Sequence, residues 1–316
     1  TLTAGLALCV ANVVSAQTWD MATPYPEANF HTQNIMQFAK EVQEATGGAL
    51  SITVHPSNSL IAHPEIKNAV RSGTVPMGEF LLGRLSNEDP IFELDMLPFV
   101  VSDYDDARAM WDASRPQIEQ LLGRQNVRIL FSGPWPNNGI YANAEINAPE
   151  DMRGMRFRTY NTTTDRFAEL VGAVPTQVEV SDIAQAFSTG RVQGMITSAA
   201  TGVAVSAWDF ATHYYDVQSF LGKNAVVVNA GMFDALPAEI QAAVLEAASN
   251  AEARGWALSE QNDAEMAAVL TQNGMKVAEP SEALSKGLLE VGEKMLEEWI
   301  SRAGDEGAAI VASFRD

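Results

Sequence analysis

The segment Asp151-Met152-Arg153-Gly154-Met155-Arg156-Phe157-Arg158 gathers three arginines in a chain that is otherwise strongly acidic. Its last residues alternate as a strand does, which sets Arg156 and Arg158 on one face and Phe157 on the other. An arginine near the carboxyl end of a strand can aim its planar fork into a cleft and grip a carboxylate with two hydrogen bonds. For Arg153 and Arg156 the plainer reading, pairing with surface Asp or Glu, is preferred. For Arg158 the residues alone leave surface pairing and ligand contact equally open.

No other pattern points to chemistry on a substrate. The sequence has no G-x-S-x-G, H-E-x-x-H, Walker A or G-x-G-x-x-G motif. His31, His55, His63 and His213 lack metal-ligand spacing, and the single cysteine, Cys9, cannot complete a site with them. His55 and His63 flank a Pro/Ser/Asn loop and read as exposed loop residues. Acidic residues are so common that a carboxylate pair carries no information about glycoside chemistry. No metal and no cofactor is expected.

Composition narrows the function classes. The 316 residues exceed one typical domain and predict two. With 40 Asp and Glu against 20 Lys and Arg, the net charge is −20. That balance excludes phosphate-backbone binding and disfavours anionic membranes. It fits either a saline habitat or an ordinary acidic secreted protein. Residues 1–16 are uncharged, carry the run Leu6-Ala7-Leu8-Cys9-Val10 and end in Val14-Ser15-Ala16. They read as the apolar region and cleavage site of a secretory signal, cut before Gln17. The mature chain is then free of cysteine and of disulfides. No later apolar run is long enough to span a bilayer. A periplasmic, soluble protein is expected.

The elements that must position Arg158 follow an α/β pattern. Residues 19–24 read as a strand and turn, residues 29–46 as a helix stopped by Gly47-Gly48, residues 50–54 as a strand, residues 64–72 as a helix ended by Gly73, and residues 75–81 as a buried strand. A second such unit runs through a strand at 156–160, a helix at 163–171 closed by Gly172, a strand at 176–178, a helix to Thr189 capped by Ser181, and a strand at 192–196. The two units share an echo, Ala69-Val70-Arg71-Ser72-Gly73-Thr74-Val75 against Ala186-Phe187-Ser188-Thr189-Gly190-Arg191-Val192. Residues 237–272 hold no proline after the first position and one glycine, Gly255. As one helix they would be about 54 Å long, enough to run along two lobes. A last amphipathic helix covers residues 281–303.

These residues resemble, in order, the signature of DctP-type solute-binding proteins of TRAP transporters. Residues 149–158 match that family's p-e-D-L-K-G-L-K-I-R in register, with arginine for lysine at 153 and 156. Residues 38–54 are similar to F-a-x-x-v-x-e-x-T-g-G-x-l-x-i-x-v. Leu60 with residues 65–78 is similar to L-x-x-x-x-E-x-x-x-a-v-x-x-G-x-v-x-m-g. Leu97-Pro98-Phe99, residues 170–175 and residues 186–194 match its l-P-F, l-G-a-x-p and A-l-x-x-G-x-v-D-G. The resemblance implies a two-lobed α/β periplasmic binding protein, not an enzyme, with a cleft between lobes and a long helix spanning both. It would close by a hinge on a small solute and deliver it to the TRAP membrane permease subunits. Arg158 falls on the family arginine that pairs with the ligand carboxylate.

The resemblance predicts residues 17–135 and 224–263 in the first lobe and residues 136–223 and 264–316 in the second, with chain crossings near 134–141 and 223–229. Two departures bear on the ligand. The stretch 133–139, Gly-Pro-Trp-Pro-Asn-Asn-Gly, lacks the second arginine of many relatives. Residues 193–198 replace D-G-Q-E-N-P, so the usual asparagine contact falls on Thr197 or Ser198. Asn138 is a further candidate contact, Trp135, Tyr160, Trp208 and Tyr25 are candidate walls, and Glu79 is a candidate acidic contact. The default ligand is a monocarboxylate. The alternative is an amine, amino alcohol or zwitterion held by Glu79 and aromatic faces. A secreted α/β hydrolase is the remote reading.

Overall fold

A computed structural model describes residues 16–101 and 103–315. The expected signal segment, with Cys9, lies outside the described residues.

The chain opens with β1 (Gln17–Ala22), α1 (Phe30–Ala45), β2 (Leu50–His55), α2 (Ile66–Ser72), β3 (Met77–Leu81), α3 (Tyr104–Gly123) and β4 (Val127–Pro134). Local chemistry fixes these boundaries. The Asn29 side chain accepts from the His31 N–H to start α1, and Asp103 caps α3 through the Asp106 N–H. Gly47, Gly48 and Gly73 adopt positive φ where α1 and α2 stop. The chain then crosses to β5 (Asn138–Ala142), β6 (Arg156–Thr159), α4 (Thr162–Leu170), β7 (Val174–Gln177), α5 (Ile183–Ser188), β8 (Gly194–Ser198), α6 (Ala199–Ala204) and β9 (His213–Tyr215). It returns through β10 (Lys223–Asn229), α7 (Ala230–Asp234) and α8 (Ala238–Gln272), and ends with β11 (Lys276–Ala278) and α9 (Glu282–Arg315).

Two sheets result. The first has the order β2-β1-β3-β10-β4 and the second β11-β9-β5-β8-β6-β7. In each, the glycine-ended helix feeds a strand that lies parallel to the first strand of its unit: β3 against β1, and β8 against β6. The echo seen in the sequence therefore marks equivalent positions in two α/β lobes. Ser181 does not cap α5, contrary to expectation. A short 3-10 turn over Val180–Asp182 comes first, and the Ser181 hydroxyl bonds the Asp182 carboxylate.

Two strand passages and α8 join the lobes. The first passage is residues 135–137, between β4 and β5. The second is residues 216–222, ahead of the 223–229 stretch expected from sequence, because β10 is fully paired with β3 and β4 in the first sheet. The 35 residues of α8 give about 52 Å of helix. This helix packs on α1 and β4 at one end and on α6 and β11 at the other. Its one glycine lies where the helix is nearest the first sheet: a Cβ on Gly255 would stand 2.9 Å from Asn34 Nδ2 and 3.9 Å from Gly133 Cα. The last helix breaks at Gly304 (φ 68°, ψ −159°), one residue after the end read from sequence. Its first part touches α3 in one lobe and α4 in the other. Among the described residues no helix is long and apolar enough to cross a membrane.

Just past the first passage, β5 is tightly packed against β9. A Cβ on Gly139 would lie 2.4 Å from the Tyr214 ring, and that ring is buried with Tyr141 in the second-lobe core. Gly139→Ala is expected to lower stability by about 1–3 kcal/mol, the range for overpacking a filled core. Urea denaturation followed by circular dichroism measures it, and an unchanged midpoint would show that Tyr214 swings aside.

Candidate functional site

The facing strand ends and passages enclose a small cavity between the lobes. Tyr25, His63, Arg84 and Trp135 line it from the first-lobe side, and Asn138, Arg158, Tyr160, Glu179, Thr197 and Ser198 from the second. A compact solute fits this space better than an extended one.

Arg158 stands at the carboxyl end of β6 and is only 2% exposed. Its Nε donates to the Val178 carbonyl at 2.9 Å, and its guanidinium carbon lies 4.5 Å from the Tyr160 ring centroid. These two contacts fix the direction of the fork. Among the described residues, no carboxylate comes within ion-pair distance of it. Burial without a paired anion pulls its pKa down to about 10, so it stays charged at neutral pH. A buried, charged and unpaired guanidinium is costly until a ligand supplies the counter-charge. Arg156 leaves the same strand at its exposed start and bonds the Gly190 carbonyl. The acidic partners expected for Arg153 and Arg156 are absent among the described residues.

The aromatic wall is built from the first lobe. The Tyr25 and Trp135 rings meet edge-on at 4.9 Å. The Tyr25 hydroxyl and the Trp135 Nε1–H both donate to Asn224 Oδ1, at 3.1 and 2.9 Å. The Asn224 amide in turn donates to Glu79 Oε1 at 2.8 Å, and the Thr23 hydroxyl donates to Glu79 Oε2 at 2.5 Å. Glu79 is therefore not a cleft contact. It is buried behind the wall, 1% exposed, on the side of β3 that faces Thr23 and Asn224. Burial raises its pKa to about 7. His31 Nδ1 lies 3.9 Å away, but burial lowers that imidazole to about 3, so it supplies no positive charge.

Trp208 also leaves the candidate set: it is half-buried against the core of the second lobe and does not line the cavity. Asn138, Thr197 and Ser198 do line it. Asn138 Nδ2 donates to the Phe220 carbonyl at 3.1 Å, and Ser198 caps α6. Both side chains are thereby oriented by their own lobe.

Three acid–base groups of the lining escaped the sequence reading. His63, expected on an exposed loop, is buried. It accepts the Leu81 N–H through Nε2 at 3.3 Å, and burial lowers its pKa, so it is neutral. Arg84, in the turn after β3, lies 3.1 Å from Glu179 and donates to the Tyr160 carbonyl at 2.9 Å. Glu179 follows β7 and also reaches His63 Nδ1 at 3.5 Å. The local sequence gives no signal for this trio, because its members meet only where the lobes meet.

With His63 neutral, the charged lining residues Arg84, Arg158 and Glu179 sum to one positive charge. The fold and this site define a two-lobed binding protein whose cleft carries one net positive charge. The sequence profile of DctP, the bacterial extracellular solute-binding protein family 7, matches residues 21–302, and the chain belongs to that family. Its relatives are extracytoplasmic solute receptors of TRAP transporters, which is the role of this chain. Proteins of the family are periplasmic receptors and not enzymes.

Among solved structures, the chain is similar to DctP7 of Bordetella pertussis, an extracytoplasmic solute receptor binding pyroglutamic acid. The two share 41% identity over 95% of this chain and 100% of the other, with a TM-score of 0.93. DctP6 of the same organism, also binding pyroglutamic acid, is 40% identical over 95% and 99%, with a TM-score of 0.93. A TRAP solute-binding protein from an unidentified marine microbe, specific for pyroglutamate, is 36% identical over 95% and 99%, again with a TM-score of 0.93.

Proposed function

We propose that this chain is exported to the periplasm, captures pyroglutamate in the interlobe cavity and presents it unaltered to TRAP membrane subunits. The observation that carries this reading is the unpaired Arg158 guanidinium. A ligand carboxylate gives it the missing counter-charge through a bidentate pair. The other features agree. The lining has one net positive charge, so a monoanion leaves the closed cavity neutral. The Tyr25 and Trp135 faces suit the flat edge of a five-membered ring. Asn138, Thr197 and Ser198 offer donors and acceptors for a lactam N–H and C=O. The three relatives described above, at 36–41% identity, bind the same compact lactam acid. The amine reading loses its support with Glu79 behind the wall.

Calorimetric titration with pyroglutamate, proline, lactate and ethanolamine tests the proposal. Pyroglutamate is expected to bind tightest, with ethanolamine silent, and Trp135 fluorescence is expected to change on saturation. Preference for ethanolamine, or no binding of any acid by the folded protein, overturns it.

A further inference from the structure

The geometry points to Glu179 as a specificity-determining residue that both latches the lobes and keeps a second carboxylate out of the cavity. This rests on the acid-binding reading of Arg158 and extends it.

Glu179 sits on the second lobe, yet its ion-pair and hydrogen-bond partners are on the first. Its carboxylate is 3.1 Å from Arg84 and 3.5 Å from His63. Arg84 makes a further cross-lobe bond to the Tyr160 carbonyl, and Ser86 and Thr162 pair their hydroxyls at 2.5 Å beside it. These contacts exist only when the lobes are together. The Glu179 side chain is 34% exposed, so it stands at the mouth and not in the depth of the cavity, and it lines the same space as Arg158.

That placement has a consequence for selectivity. The charged and titratable groups around Glu179 are Arg84, His63 and Arg158, with the Tyr25 and Tyr160 hydroxyls neutral at physiological pH. The arginines and His63 hold the Glu179 carboxyl down to about 2, so it remains an anion throughout the working range. One ligand carboxylate on Arg158 completes the charge balance. A second would face the fixed Glu179 anion across a small water-poor space, where like charges repel strongly. A dicarboxylate could close the lobes only by displacing Glu179 from Arg84, which undoes the latch. Closure and rejection of dianions are therefore coupled in one side chain.

Glu179→Gln tests this, since the amide keeps the size and one acceptor but not the charge. The wild type is expected to prefer pyroglutamate over glutarate by at least about 100-fold. In E179Q, pyroglutamate binding is expected to weaken about tenfold as the latch is lost, and the preference over glutarate to shrink at least about tenfold. A second measurement needs no solute: small-angle scattering of the ligand-free protein is expected to show a more open E179Q than wild type. An unchanged pyroglutamate/glutarate ratio in E179Q overturns the gate, and an unchanged scattering profile overturns the latch. If the wild type binds neither acid, the ligand assignment fails instead, and scattering still decides the latch. Normal circular dichroism of E179Q distinguishes any of these outcomes from misfolding.

Discussion

Arg158→Ala abolishes carboxylate capture while leaving the ligand-free protein at least as stable as wild type. Both halves of this expectation come from the same geometry. In the proposed complex, the guanidinium and the solute carboxylate would form a desolvated charged pair. Removing one member leaves the other buried and unpaired, at a cost of about 3–4 kcal/mol, or a loss of affinity on the order of 10²–10³. In the ligand-free protein, Arg158 is 2% exposed with only Val178 O and the Tyr160 ring as partners. Deleting it there relieves a buried charge and removes no ion pair. Titration calorimetry gives the first quantity and thermal unfolding without ligand gives the second. Arg158→Lys is expected to recover only part of the affinity, because a point charge cannot reproduce the fork. Retention of near-native affinity in the alanine variant would mean that the carboxylate sits elsewhere, and a large fall in ligand-free stability would mean that Arg158 is structurally satisfied.

The second large effect belongs to Glu79, which acts on stability and not on the ligand. Its pKa rises from 4.5 to about 7 on folding because burial disfavours the anion. In the interval between those values the folded state keeps a proton that the unfolded state has lost. The stability tied to that proton is fully present below pH 4.5 and is lost as pH rises through 7. The gap corresponds to about 3 kcal/mol. Glu79→Gln cannot ionise. It keeps an oxygen for the Asn224 amide and an N–H for the Thr23 hydroxyl. The variant is therefore expected to match wild type near pH 4.5 and to exceed it by about 3 kcal/mol at pH 8, measured by urea denaturation at the two pH values. Equal destabilisation at both would show that Glu79 is ionised in the native state and held by its neighbours. Glu179 titrates with the opposite sign. Its lowered pKa, about 2, contributes stability that is present above pH 4.5 and fades as pH falls toward 2.

The contrast between Arg158 and Glu79 shows what strand patterns convey. Both lie on buried strands, and alternation says which residues share a face. For Arg158 the alternation says only that it shares a face with Arg156, and it is the match to the family signature that points it to the cleft. For Glu79 the alternation says only that it shares a face with Met77 and Leu81. Which face meets the opening depends on the strands laid beside it, and Thr23, just past β1, and Asn224 of β10 enclose the carboxylate. Trp208 and His63 fail in the same way, in opposite directions. The tryptophan is absorbed by the second-lobe core. The histidine, in a loop-like stretch, is folded under Tyr25 with the rings 5.7 Å apart.

The two repeated α/β units and the long α8 were legible in the sequence alone, because each rests on periodicity, caps and glycine stops within a few residues, whereas Arg158 was reached through its match to the family signature. Only the tertiary structure decided the rest of the cavity. His63, Arg84 and Glu179 are 21 to 116 positions apart, and their charges meet across a boundary between lobes. No local pattern encodes that meeting, since it depends on how two independently patterned sheets are set against each other by two short passages and one helix.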